Sequence, residues 1–293
     1  MSNNKIIPYY LCSRLMFVVF CMQFAVSLVV KKYGDVFEIG LPLDYIYILL
    51  TQIVAVAIPC FLLCAIKKAG FKSTFRVRTF KMTDAKKCFA LGFFLQPVAI
   101  IANIPLQILA TNSNSVVAPP QNISDILLMT LFLCVIPSIF EELLLRGMVL
   151  TSLRKKGYAF SILVSTVLFV LLHGDIYTIM GHIILGVATA FAVLNTNSVL
   201  SGMLVHFSFN FCGVVIDYFT NNFYLLGDFV GTLGFFIALA VVGAVFSVFL
   251  MYRLNNKQCK KYPSDDFGYN LCKAFLNIPI CIVVILYVMH NLI

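Results

Sequence analysis

Long runs of apolar side chains, separated by short polar or basic segments, divide the chain near residues 9–30, 45–66, 88–110, 124–150, 158–173, 176–194, 198–216, 229–252 and 274–292. A helix rises 1.5 Å per residue, so about 20 such residues cross the roughly 30 Å hydrocarbon layer of a bilayer. The pattern predicts an all-α protein, a polytopic transmembrane helical bundle of eight or nine spans. The first run is longer than the apolar core of a signal peptide and lacks a clear small-x-small cleavage site, so it is read as a span. The short fifth and sixth runs meet in a tight reversal at His173-Gly174-Asp175. Residues 1–120 are expected to hold about three spans, 121–216 about four and 217–293 about two.

Composition excludes a soluble globule. With 61% hydrophobic residues, 11% charged and a mean hydropathy of +0.98, too little polar surface is left to face water. The lipid bilayer is therefore the first expected partner. Basic residues then orient the bundle, because Lys and Arg are retained on the cytoplasmic side. If the spans alternate, one side collects Lys5, Arg14, Lys67, Lys68, Lys72, Arg76, Arg78, Lys81, Lys86, Lys87, Arg154, Lys155, Lys156, Arg253, Lys257, Lys260, Lys261 and Lys273, which is 18 of the 21. Lys31 and Lys32 fall opposite and Arg146 inside a span. The N-terminus is expected in the cytoplasm, with the C-terminus outside if there are nine spans. The net charge of +9 reads as this topology signal and as attraction to anionic head groups, with no nucleic-acid partner.

The ten cysteines lie in or beside apolar runs with no C-x-x-C pair, which suits free thiols used as small apolar side chains. Asn122-Ile-Ser124 fits a glycosylation sequon.

Charged groups are costly in hydrocarbon, at least about 2.5 to 3.5 kcal/mol at the centre of a span, so polar residues inside the runs mark function. Three runs carry them. The fourth contains Pro137-Ser-Ile-Phe-Glu141-Glu142-Leu-Leu-Leu-Arg146, the fifth Phe169-Val-Leu-Leu-His173 and the seventh His206-Phe-Ser-Phe-Asn210. Glu141 and His173 are equidistant from Gly157, in the turn between two antiparallel helices, so they come out level. His206 reaches a similar depth from the short loop near Asn195. Glu142 and Arg146 share a helix face in the favoured order for an ion pair, which competes with a chemical role for Glu142. Glu141 projects about 100° away and is free of that pairing. His182 lacks a polar partner on its own face and His290 lies near the chain end; both are expected to be structural or interfacial. Phe169 is expected to pack beside the site.

A carboxylate with imidazoles in a water-poor pocket is a competent base towards water, and an amide such as that of Asn210 can hydrogen-bond a developing oxyanion. Hydrolysis is the economical reading. No serine or cysteine sits as a covalent nucleophile, and H-E-x-x-H is absent. Water activation by the side chains alone and by one Zn2+ held on Glu141, His173 and His206 both remain open.

The ordered motifs Glu141-Glu142-Leu-Leu-Leu-Arg146, Phe169-Val-Leu-Leu-His173 and His206-Phe-Ser-Phe-Asn210 resemble those of the CAAX-protease and bacteriocin-processing (CPBP) family, relatives of the CAAX prenyl endopeptidase. The resemblance covers roughly residues 120–215. It implies an all-helical intramembrane endopeptidase with a CAAX-protease-like catalytic core over 121–216. Glu141, Glu142, His173, His206 and Asn210 would be catalytic, Glu141 and His173 activating water and His206 and Asn210 stabilising the oxyanion. Arg146 and Phe169 would support them. The substrate would be a peptide or protein at the membrane, of the prenylated type or a leader peptide, and a bacterial cell membrane is the expected location. The competing classes are an ion-coupled transporter and a non-catalytic family member acting in bacteriocin immunity. No inverted repeat of the spans supports the transporter.

Overall fold

The structure, a computed structural model, describes residues 7–33, 42–109, 118–223, 229–255, 274–275, 277 and 279–285. All regular structure among them is helical. Seven helices are long and apolar enough to cross a membrane: α1 (Tyr9–Tyr33), α2 (Leu43–Ile66), α4 (Met82–Ile108), α5 (Ile123–Lys156), α7 (Ile179–Thr196), α8 (Val199–Phe223) and α9 (Phe229–Leu254). Between α2 and α4 lies the short α3 (Phe71–Phe75), and between α5 and α7 the apolar α6 (Tyr158–His173). At 16 residues α6 is about 24 Å long, shorter than a typical hydrocarbon layer. With it the bundle reaches the lower of the two expected span counts. Of the ninth run the described residues include a helical stretch over 279–285, and residues 286–292 lie outside them.

The helices pack around α4, which lies against α7, α8 and α9, while α6 and α7 form a hairpin beside α5. Lipid offers apolar helices no hydrophobic gain on association, so close backbone approach and polar contacts hold them together. Gly92 shows this: a Cβ there would stand 2.0 Å from the Val205 carbonyl oxygen of α8. Asn103 of α4 does the polar work, its Oδ1 accepting from the Gly181 backbone N–H at the start of α7 at 3.0 Å. Asn122 caps α5, accepting at Oδ1 from the Asp125 N–H at 3.0 Å, so the sequon asparagine has a structural use.

Three wide π turns interrupt these helices, at Thr51–Ala57 in α2 and at Thr130–Val135 and Leu143–Val149 in α5. The first two directly precede Pro59 and Pro137. Proline has no N–H and its ring collides with the carbonyl four residues back, so widening the preceding turn relieves the clash. Such turns are frequent at functional sites. Here they flank the carboxylates, because Glu141 and Glu142 end the segment Ile136–Glu142 between the two π turns of α5.

Two glycines reverse the chain. Gly157 (φ 120°) turns α5 into α6, and Gly174 (φ 68°) ends α6 directly after His173. A single core of apolar side chains runs from α1 through α9, so residues before and after 121–216 pack into it together.

Candidate active site

Glu141 and His173 meet across the α5–α6 hairpin, Oε2 to Nε2 at 3.6 Å. The imidazole is fixed from behind, with Nδ1 2.9 Å from the Phe169 carbonyl oxygen. A carbonyl only accepts, so Nδ1 carries the hydrogen and Nε2 is turned towards the carboxylate. The 3.6 Å gap is too long for a direct hydrogen bond and suits a bridging water to one side of it. The His173 side chain is 23% exposed against 6% for Glu141, so the approach to the pair runs past the imidazole.

The second carboxylate is held differently. Glu142 Oε1 takes Arg146 Nη1 at 3.0 Å and His206 Nδ1 at 3.1 Å, with all three side chains at 0 or 1% exposure. Arg146 also donates from Nη2 to the Gly186 carbonyl at 3.1 Å and lies over the Phe169 ring, its Cζ 4.5 Å from the centroid. The expected i, i+4 pair is thus present, and it is enlarged by a histidine from α8.

Phe169 is the hub around which these groups are arranged. Its ring centroid lies 4.5 Å from that of His173, 5.7 Å from His206 and 6.0 Å from His182. His182, expected to be structural or interfacial, instead faces His173 with ring centroids 3.9 Å apart. Its Nδ1 lies 3.4 Å from Thr178 Oγ1, which donates to Asp175 Oδ2 at 2.6 Å. The reversal at Gly174 brings the last turn of α6 against the first turn of α7, a relation no single-helix face can reveal.

Asn210 engages the backbone of α5. Its Nδ2 donates to the Leu133 carbonyl at 2.8 Å. Leu133 is four residues before Pro137 and so lacks the usual i→i+4 donor. The amide of α8 therefore fills an acceptor that the proline of α5 leaves open, and its second N–H is uncommitted among the described contacts. The sequence reading also passed over Gln52, whose Nε2 donates to Glu141 Oε1 at 2.6 Å. Its signal was a lone amide in the apolar run of α2.

The residues named as candidate ligands for a zinc ion, a route the sequence leaves open, do not gather. Among the described residues no group of three or more His, Cys, Asp or Glu side chains is arranged to hold a metal ion. Glu141 pairs with His173 while His206 is drawn away to Glu142, so the trio Glu141, His173 and His206 does not present three donors to one point, as zinc requires.

Residues 123–212 match the Rce1-like family, described as type II CAAX prenyl endopeptidase Rce1-like. No significant match to a curated protein or to a solved structure is found. The matched family is one of proteases, and its segment contains all three motifs of α5, α6 and α8. With seven described helices of spanning length, the chain is an integral membrane protein.

Proposed function

We propose that this protein, similar over residues 123–212 to the type II CAAX prenyl endopeptidases, is an intramembrane endopeptidase that hydrolyses a peptide bond with water activated by Glu141 and His173. One relation carries it: Glu141 Oε2 and His173 Nε2, both turned to the same gap at 3.6 Å, on a carboxylate otherwise screened from water.

A water in that gap donates one hydrogen to Glu141 Oε2 and is oriented by His173. As its oxygen attacks the scissile carbonyl carbon, the proton passes to Glu141 and the carbonyl oxygen becomes the oxyanion. His206, whose Nδ1 is held by Glu142, offers its Nε2 side as a donor to that oxyanion. The second N–H of Asn210 is the other candidate donor, and one donor in such a role is commonly worth about 10²-fold to 10³-fold in rate. When the C–N bond breaks, the proton on Glu141 goes to the leaving nitrogen and the new carboxyl group gives its own proton to the released amine, so the products are a carboxylate and an ammonium group and Glu141 is again ionised. Arg146 and Phe169 support from behind, the first neutralising Glu142 and the second spacing the imidazoles.

The substrate is a peptide segment at the membrane, of the prenylated type or a leader peptide, drawn from the cytoplasmic side that the basic loops define. Bonds within a bilayer are otherwise shielded from water, which is the reason to build the activating pair inside the bundle.

Cleavage of a fluorogenic membrane peptide by the purified protein, compared with Glu141→Ala and His173→Ala, tests this. Loss of at least about 10²-fold in both variants is expected. Full cleavage by either would remove the mechanism.

A further inference from the structure

A glutamine in the middle of an apolar span needs a polar partner, because lipid supplies none. Gln52 of α2 finds its partner in α5, donating from Nε2 to Glu141 Oε1 at 2.6 Å with both residues buried. The amide could be turned either way in principle, but an ionised carboxylate only accepts, which settles that the NH2 end faces Glu141. Gln52 Oε1 then points elsewhere and has no hydrogen-bond partner among the described residues. The residue sits in the π turn Thr51–Ala57, directly ahead of Pro59.

A carboxylate has two equivalent oxygens and rotates about its last bond. Holding Oε1 on α2 removes that freedom and leaves Oε2 as the oxygen that faces His173. Glu142 is braced by Arg146 and His206, whereas Glu141 has no cation at hydrogen-bond distance and depends on this one amide for its orientation.

We propose that Gln52 is the positioning residue of the general base, so that α2, outside the segment 123–212, completes the catalytic apparatus. This rests on Glu141 acting as the base. Gln52 touches no reacting atom; it acts through Glu141, and its effect is on the rate of the chemical step.

The full-length protein in detergent micelles is tested with the same fluorogenic membrane peptide, using Gln52→Leu, Gln52→Glu, Glu141→Gln and the double variant Gln52→Leu/Glu141→Gln, with thermal unfolding recorded for each. Gln52→Leu is expected to lower kcat by about 10²-fold, the scale of a misplaced catalytic group, with KM within about twofold of native. Gln52→Glu donates only when its new carboxyl carries a proton, so its activity is expected on the acid side of neutrality and lost above it. The double variant should be no slower than Glu141→Gln alone, because both act through one carboxylate. Native kcat in Gln52→Leu, a loss confined to KM, or a Gln52→Glu pH profile like that of the native protein each overturns the assignment. Should Gln52→Leu fail to fold, the pH profile of Gln52→Glu decides. A native rate in Glu141→Gln would instead remove Glu141 as the base, and no cleavage by the native protein would remove the endopeptidase proposal, outcomes distinct from native activity in Gln52→Leu alone.

Discussion

Glu142 and His206, 64 residues apart in the chain and on different helices, meet at 3.1 Å between Oε1 and Nδ1 with neither side chain more than 1% exposed. The same oxygen forms an ion pair with Arg146 Nη1 at 3.0 Å, so one carboxylate organises two groups that can carry positive charge. Breaking a buried pair from one side is far more costly than replacing both partners by neutral groups of similar shape. Arg146→Met should therefore destabilise by about 3–5 kcal/mol, and Arg146→Met/Glu142→Gln should recover most of that. Thermal unfolding of the full chain in micelles measures it, and additive losses in the double variant would contradict the pairing.

The adjacent carboxylates should separate when each is made an amide. Glu141 Oε2 has no hydrogen-bond partner among the described residues, so Glu141→Gln is expected to lose cleavage by about 10²-fold or more while its unfolding temperature stays near native. Glu142→Gln should lower both, since it unpairs Arg146 and His206 together. Unfolding curves and peptide cleavage on the same samples give the comparison.

Gly202 of α8 stands against the second carboxylate. A Cβ there would lie 2.7 Å from Glu142 Oε2 and 2.8 Å from Val193 Cγ2. Gly202→Ala is expected to cost about 1–3 kcal/mol by overpacking and to reduce cleavage by displacing Glu142. Gly234→Ala in α9, where nothing lies within 4 Å, is the matched control and should be silent in both assays.

Asn210 and Pro137 should be energetically coupled. Asn210→Leu leaves the Leu133 carbonyl without the bond at 2.8 Å and should cost about 1–3 kcal/mol. Pro137→Ala restores a backbone N–H that can reach the same carbonyl, so the asparagine should matter less in that background. A double-mutant cycle on unfolding midpoints reads the coupling, and strict additivity would show that the two do not share Leu133.

Much of the bundle is legible in the sequence because lipid demands unbroken apolar stretches, and these show without any knowledge of packing. The level placement of Glu141 and His173 follows from counting outward from Gly157, and Glu142 with Arg146 from helical spacing alone. Gln52 and His182 escaped because their partners lie on other helices, where a lone amide or imidazole in an apolar run carries no sign of what it meets. The parting of His206 from Glu141 depends on how α8 is rotated against α5, which the π turns alter and which no fixed 100° step reproduces.

Those wide turns make length, more than residue identity, the guarded property of α5. Each already holds one residue more than ordinary winding, so removing one between Thr130 and Val135 closes that turn with little rotation, whereas removing one from a regular turn rotates everything on one side of the cut by about 100° against the other. Glu141 and Glu142 differ by that same angle. A one-residue deletion in a regular turn ahead of Glu141 would thus carry both carboxylates, together with Arg146, away from His173 and His206, while conservative apolar exchanges in the same turn would leave each facing its own partner.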